Sequence, residues 1–479
     1  MLIGREAEKT ELNRAIGSPH AELVVVYGRR RVGKTFLIRQ HLRDSITFEL
    51  VGLHNAELSD QLANFANRLS ECFRTKLAPP HSWLDAFQQL KQQLSQAKKE
   101  RNQKKRVLFI DEFPWLATRK SGFVSAFEEF WNGYAVKHTD LMCVICGSAA
   151  SWMIDKVISS KGGLHNRATS TLRLSPFTLG ETREFLRHAK VTWTDMQIAE
   201  WYFCVGGIPH YLQHVKKGKS VPQTIDELCF QKSGLLHNEF DKLYGALFER
   251  PENHLAIVRA LAHKQKGLGR NELLKLSGLN SGGTLTKALN ELAESGFIRE
   301  FPALYTQRKH SLWRLTDHYS LFYLSWIEGN RTSGKQIWQS KVNSPKWRTW
   351  SGYAFENLCL LHVPQIKRAL GISGVLTEEA SWQYAAANSL DEGAQIDLAI
   401  DRNDQSINLC EMKYSNNPFM IDKKYAAELE RKLRVFRTRT GTRKALFLTL
   451  VTANGLKPNP YSINLLSNQV ELSDLFATA

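Results

Sequence analysis

The chain has 479 residues, 43% of them hydrophobic, and a net charge of +17. This length predicts about three domains at roughly 100–200 residues each, and the apolar content suits large globular cores and excludes a disordered chain. The charge favours a polyanionic partner, most often nucleic acid, because neutralising phosphates releases counterions; a basic surface that binds nothing is the alternative.

No apolar run approaches the roughly 20 residues of a membrane span, so no membrane role is expected. The opening MLIGREAEKTEL has no apolar core of a signal peptide. The seven cysteines, at 72, 143, 146, 204, 229, 359 and 410, are odd in number and lie mostly within apolar runs. They suit free thiols in a reducing compartment, and the expected location is cytoplasmic.

The first predicted strand is Leu23-Val24-Val25-Val26-Tyr27, followed by Gly28-Arg29-Arg30-Arg31-Val32-Gly33-Lys34-Thr35 and then Phe36-Leu37-Ile38. Strand, GxxxxGK[ST] loop and helix make a P-loop. Its backbone N–H groups curl round phosphate, Lys34 reaches the terminal phosphates, and Thr35 reaches Mg²⁺. The helix N-terminus adds its dipole. The nucleotide-contacting stretch is therefore Gly28 to Phe36, and ATP with Mg²⁺ is the expected ligand pair. Ile3 and Gly4, on the leading segment, are candidates for the adenine site; a simple helix cap is the alternative reading.

Residues 36–100 alternate helical stretches with short apolar runs, and the basic 91–106 stretch reads as a solvated surface. Val107-Leu108-Phe109-Ile110 then ends in Asp111-Glu112. A buried parallel strand with that ending, following a P-loop, places Asp111 on Mg²⁺ through water and Glu112 as general base toward the attacking water. The next strand, Leu141–Cys146, ends in Gly147-Ser148. Ser148 is the candidate for sensing the γ-phosphate, and Cys143 and Cys146 are read as core rather than redox residues. In the polar segment 159–170, Arg167 is either an arginine finger for a neighbouring subunit or a surface arginine.

Residues 176–250 read as helical, with a start at Thr178-Leu179-Gly180-Glu181 and a turn at Gly206-Gly207-Ile208-Pro209, together a lid over the nucleotide. Three short helical patterns and a hairpin over 252–316 predict a winged helix. Its third helix, capped by Asn280 or Ser281, turns Thr284, Lys287 and Asn290 outward. Duplex binding and inter-domain packing both remain open for it. A linker containing Gly329, Gly334 and Pro345 follows. The last region reads as helix, three strands, helix, strand.

In that region thirteen residues separate Asp397 from Glu411-x-Lys413. Glu411 and Lys413 share one strand face. With Asp397 beside them, two carboxylates can bind Mg²⁺ and Lys413 can orient a water or neutralise a phosphate. Glu356, from the leading helix, completes the expected metal shell. The 422–439 helix carries Lys423, Lys424, Arg431, Lys432, Arg434, Arg437 and Arg439 beside an apolar stripe of Tyr425, Leu429, Leu433 and Phe436. A phosphate-backbone track and a solvated face are its two readings.

These motifs, IGRE, VVVYGRRRVGKT, VLFIDEFPWL, CGSAASWM and GGIPHYL, resemble those of prokaryotic and archaeal-type ATPases of the AAA+/STAND group. GYAFENL, AQIDLAIDR and INLCEMKYS resemble the PD-(D/E)xK nuclease-type domain associated with that family. The leading Pro-Asp of the nuclease motif is here Ile396-Asp397. The resemblance implies an Mg-ATP-dependent switch with the winged helix between its halves, with Arg167 in the arginine-finger region and Gly207, Ile208 and Pro209 in the lid turn. The expected fold is α/β: a P-loop NTPase parallel sheet over 1–175, a helical lid over 176–250, a winged helix-turn-helix over 251–325, and an α/β restriction-endonuclease-like domain over 345–479. The expected activity is ATP hydrolysis coupled to action on DNA by a Mg-dependent nuclease, with oligomerisation through Arg167. The alternative is a nucleotide-dependent DNA-binding or signalling switch whose C-terminal domain does not cut; a translocating helicase would need a second motor core.

Overall fold

The computed structural model describes residues 2–97, 103–118, 120–158, 164, 166–280, 282–305, 311–329, 334, 336–342, 344–386, 388 and 391–477. They form two compact units, Met1–Ser175 and Pro176–Ala479. Three of the four expected segments therefore share the second unit.

The first unit is built on β1 (Glu22–Tyr27), β2 (Ile46–Val51), β3 (Arg106–Asp111), β4 (Leu141–Gly147) and β5 (Ser170–Arg173). All pairings are parallel, in the order β2-β3-β4-β1-β5. β1, β3 and β4 are almost wholly buried, as apolar runs without alternation require of strands covered on both faces. One face is closed by an aromatic core in which Trp83 meets Phe123 at 4.7 Å and Phe113 meets Phe127 at 5.2 Å between ring centroids. Cys143 and Cys146 lie in that sheet, and burial pushes both thiols up.

The β1 exit needs glycine. Gly28 has φ +144°, and a Cβ there would lie 2.3 Å from the Leu174 carbonyl oxygen. Gly28→Ala is expected to destabilise the first unit by about 2 kcal/mol or more, because the collision is with backbone and a left-handed φ adds strain. Urea denaturation checks this.

The second unit begins with helices. Thr178 and Glu181 form the capping box of Leu179–His188, and a second box at Thr194 and Gln197 starts Asp195–Val205. Gly206 (φ +73°) and Gly207 turn the chain toward Pro209–Leu212; a Cβ on Gly207 would lie 2.0 Å from the Phe177 carbonyl oxygen. Helices Pro251–His263, Arg270–Ser277 and Gly282–Glu294 lead to an antiparallel ribbon, β6 (Ile298–Phe301) and β7 (Leu312–Leu315). Thr284, Lys287 and Asn290 are exposed; Ser281, one of the two expected caps, lies outside the described residues.

The stretch expected to be a linker is partly a core anchor. Ile337–Lys341 is a helix whose Trp338 is 1% exposed and packed among Phe230, Phe322, Trp326 and Trp347. Asp226 accepts hydrogen bonds from the backbone N–H groups of Trp338 (2.6 Å) and Gln339 (3.2 Å). Glycine and proline on either side suggested a connector, but a tryptophan's apolar area outweighs that signal. Trp338→Ala is expected to cost about 3–5 kcal/mol in equilibrium unfolding.

The C-terminal sheet has the order β12-β11-β10-β9-β8. Its strands are β8 (Thr377–Tyr384), β9 (Ala394–Arg402), β10 (Ser406–Lys413), β11 (Ala445–Thr452) and β12 (Asn468–Glu471). β8, β9 and β10 pair antiparallel, while β10, β11 and β12 pair parallel. The Pro345–Leu361 helix precedes the sheet, and the Lys423–Thr440 helix, capped by Asp422, crosses from β10 to β11. Ile407 and Leu409 of β10 share an apolar cluster with Val435 and Phe436 of that crossover helix.

A neutral histidine helps hold the second unit. His362 Nδ1 donates to the Leu358 carbonyl (2.8 Å), and its Nε2 accepts from the Leu179 N–H (2.9 Å). Burial lowers its pKa to about 4. The unfolded chain, with an ordinary value near 6.5, binds more protons between about pH 4 and 6.5. Stability is therefore full above pH 6.5 and falls on acidification through that window, by about 2 kcal/mol at pH 5 from this group. His362→Gln should flatten this slope in urea titrations at pH 5 and pH 7.

Candidate functional site

In the first unit, Gly33 (φ +91°) opens the Lys34–His41 helix. The buried Lys34 ammonium donates to the carbonyls of Gly28 (2.9 Å) and Arg29 (3.0 Å), and burial lowers its pKa. Thr35 Oγ1 donates to Asp111 Oδ2 at 2.6 Å. The threonine and the acidic strand end thus meet, though 76 residues apart, as a shared Mg²⁺ site requires. The three loop arginines differ: Arg29 is buried, Arg30 is exposed, and Arg31 is half-buried in the left-handed region. Val32 is buried and Phe36 exposed.

Sequence reasoning missed Arg5. It follows Ile3 and Gly4, is buried, and donates from Nη2 to the Val32 carbonyl (3.0 Å), so the opening segment braces the phosphate loop. Its signal was a charged residue inside an otherwise cap-like IGRE.

Strand order explains how the remaining groups converge. β4 lies between β1 and β3, so its carboxyl end sits between the loop and the acidic pair. Ser148 Oγ donates to Glu112 Oε2 at 2.7 Å. Glu112 is itself left-handed, φ +47°, a conformation that costs about 1–3 kcal/mol and turns its carboxylate toward Ser148. Asp111 Oδ1 accepts from the Glu112 N–H. Glu112→Gln keeps this shape but removes the carboxylate expected to act as base. The expected result is retained nucleotide binding with hydrolysis slowed about 10²–10⁴-fold, read by fluorescent-nucleotide titration beside phosphate release.

Arg167 is exposed and lies just before β5. β5 runs parallel to β1, so this is the sheet edge opposite the phosphate loop, and Arg167 does not join its own chain's loop. Most of the 159–170 segment before it, 159–163 and 165, lies outside the described residues. The arginine on the loop edge is Arg173, paired in register with Tyr27.

In the second unit, β9 and β10 pair Leu398 with Cys410, which sets Asp397 and Glu411 side by side. Asp397 Oδ2 accepts from the Met412 N–H (3.0 Å). Glu411 is fully buried. Its Oε2 accepts from Lys432 Nζ at 2.6 Å, while Oε1 has no hydrogen-bond partner. Burial pushes the Glu411 pKa up, Asp397 adds to this, and Lys432 opposes it. Lys413 Nζ sits 4.8 Å from the Tyr425 ring centroid. The next residue, Tyr414, donates to Glu200 (3.4 Å) and packs on Phe203, both on the Asp195–Val205 helix.

Glu356 does not complete the expected shell. Arg314 Nη1 lies 2.5 Å from its Oε1, and burial, with Asp397 adding, raises its pKa. Among the described residues no three His, Cys, Asp or Glu side chains form a group that could hold a metal ion. Asp397 and the partnerless Glu411 oxygen fit a hard cation; Glu356, in this arrangement, is taken by arginine.

On the basic helix Lys423, Lys424, Arg434, Arg437 and Arg439 are exposed, as either of its two readings needs, but Lys432 is not. Lys432 is buried against Glu411, Arg434 pairs with Glu392 and Arg439 with Asp391 (2.5 Å each), and Arg431 donates to the Gly393 carbonyl. Lys432 stands three residues after Leu429 and four before Phe436, so helical period already placed it on the apolar stripe.

Residues 2–215 match a family model described as an ATPase domain predominantly from Archaea. The chain is 26% identical to an uncharacterized protein of Methanocaldococcus jannaschii over 438 residues, 90% of this chain and 92% of that one. It is similar to a Walker-type ATPase of Pyrococcus abyssi, with TM-score 0.48 and 18% identity over 67% of this chain and 96% of that one. It is also similar to the Aeropyrum pernix ORC2 protein, with TM-score 0.40 and 15% identity over 72% of this chain and 96% of that one. No helix among the described residues is long and apolar enough to cross a membrane. The family match and the phosphate-loop geometry together make the N-terminal part of this chain a P-loop ATPase domain.

Proposed function

We propose that the chain is an ATP-hydrolysing protein that acts on DNA through a C-terminal Mg-dependent, PD-(D/E)xK nuclease-like domain. The observation that carries the first half is the convergence of Thr35 with Asp111 and of Ser148 with Glu112 around the phosphate loop. Lys34 would exchange two carbonyls for phosphate oxygens, and Glu112 would hold the attacking water, with Ser148 fixing its orientation. Thr35 and Asp111 would hold Mg²⁺ in this site, and Asp397 and Glu411 in the second. When bound there, Mg²⁺ supplies positive charge against phosphate oxygens and acidifies a bound water. Lys413 would neutralise the scissile phosphate. The exposed Thr284, Lys287 and Asn290, on the third helix of a winged-helix arrangement, would meet the duplex, and Arg167 would reach the nucleotide of a neighbouring subunit.

One observation favours a second reading, a nucleotide-dependent switch whose C-terminal domain binds without cutting. Glu356 and Glu411 are already paired with Arg314 and Lys432. The test is Mg²⁺-dependent cleavage of plasmid and single-stranded DNA with and without ATP. Cleavage supports the nuclease reading. No cleavage, with ATP still hydrolysed, selects the switch.

A further inference from the structure

Three carboxylates, Glu356, Asp397 and Glu411, lie among cations of the same chain: Arg314 and, less strongly, Lys266 act on Glu356, and Lys432 and Lys413 act on Glu411. Arg314 is the cation bonded to Glu356. It belongs to β7 of the ribbon, whereas the three carboxylates, Lys413 and Lys432 come from the Pro345–Leu361 helix, the C-terminal sheet or its crossover helix. It is 4% exposed and grips Glu356 through Nη1 alone; Nε and Nη2 are buried without a hydrogen-bond partner. Arg314 and Glu356 also line a small cleft, with room for about one water, together with Gln265, Trp350, Tyr353 and Asn357. An arginine able to hold a carboxylate with two parallel bonds here uses one.

We propose that Arg314 is an internal counter-ion which the ribbon inserts at Glu356, so that a divalent cation recruits this third carboxylate only when the ribbon withdraws. The proposal rests on the nuclease-like reading of Asp397 and Glu411. A carboxylate buried beside another carboxylate needs a compensating cation. Arg314 provides it in one arrangement and the metal in the other, because a guanidinium and a divalent cation on one buried carboxylate repel each other. The ribbon that follows the three short helices would then set the metal affinity of the C-terminal site, which links nucleic-acid engagement to readiness for chemistry.

The experiment is calorimetric titration of Mn²⁺ into the full-length protein without nucleotide, comparing wild type, R314Q, R314K, D397N and the R314Q/E356Q double variant. R314Q is expected to bind Mn²⁺ about tenfold tighter, and the double variant to lose that gain. R314K keeps a cation at the buried carboxylate and so protects the fold if R314Q is too unstable; a several-fold gain is expected from its shorter reach. Unchanged or weaker Mn²⁺ binding in folded R314Q, or in R314K where R314Q does not fold, overturns the proposal. If wild-type binding is at the same time lost in D397N, the nuclease-like reading stands without it. Absence of Mn²⁺ binding in every variant overturns both.

Discussion

Lys34→Ala should abolish ATP hydrolysis, with phosphate release falling about 10²–10³-fold or more. Lys34 is the cation aimed into the loop, and no other residue of the 28–35 stretch can replace it: Arg29 is buried, Arg30 points to solvent, and Arg31 is half-buried. The substitution also removes an ammonium held by the carbonyls of Gly28 and Arg29. Gly28 and Arg29 are buried, so their carbonyls lose a partner at a cost of about 1–3 kcal/mol, small beside the loss of rate. Circular dichroism melts of the variant should show that modest cost and a folded protein. A variant that still hydrolyses ATP at the wild-type rate would remove the phosphate loop from the mechanism.

Glu411→Ala should abolish Mg²⁺-dependent cleavage, about 10²-fold or more, and leave ATP hydrolysis at its wild-type rate. The two measurements on one protein separate the sites, because Glu411 and Lys34 lie in different compact units. The design needs a companion. Removing Glu411 strands the buried Lys432 ammonium, and breaking a buried pair costs about 3–5 kcal/mol. Glu411→Gln keeps the volume and a hydrogen-bond acceptor for Lys432 while withdrawing the charge, so it should lose cleavage with a smaller penalty in the melt. Joint loss of cleavage and ATP hydrolysis in a folded Glu411→Gln protein would contradict the two-site reading.

The phosphate loop was legible because its chemistry is local. A β-branched run, two glycines, Lys34 and Thr35 are contiguous, and the buried run ending in Asp111-Glu112 marks its own strand. The position of Ser148 was legible for the same reason, as the end of another apolar run. What pattern could not reach is set by tertiary contact. Arg5 holds a carbonyl 27 residues away, and Arg314 meets a glutamate 42 residues away. Neither spacing has a period to betray it. β12, only four residues long and polar at Asn468, Gln469 and Glu471, had too little apolar content to be read as a strand. Lys432 is a different case. Its place on the buried stripe could be counted, but charge was allowed to outweigh position, and a buried carboxylate across the helix was the missing reason.

Tyr414 carries a mechanical consequence. It directly follows Lys413, and its ring and hydroxyl are both fastened to the Asp195–Val205 helix through Phe203 and Glu200. A peptide unit is stiff and consecutive Cα atoms stay 3.8 Å apart. Lys413 is therefore held one residue away from a contact with a helix more than 200 positions earlier, and a movement of that helix would reach the lysine through Tyr414.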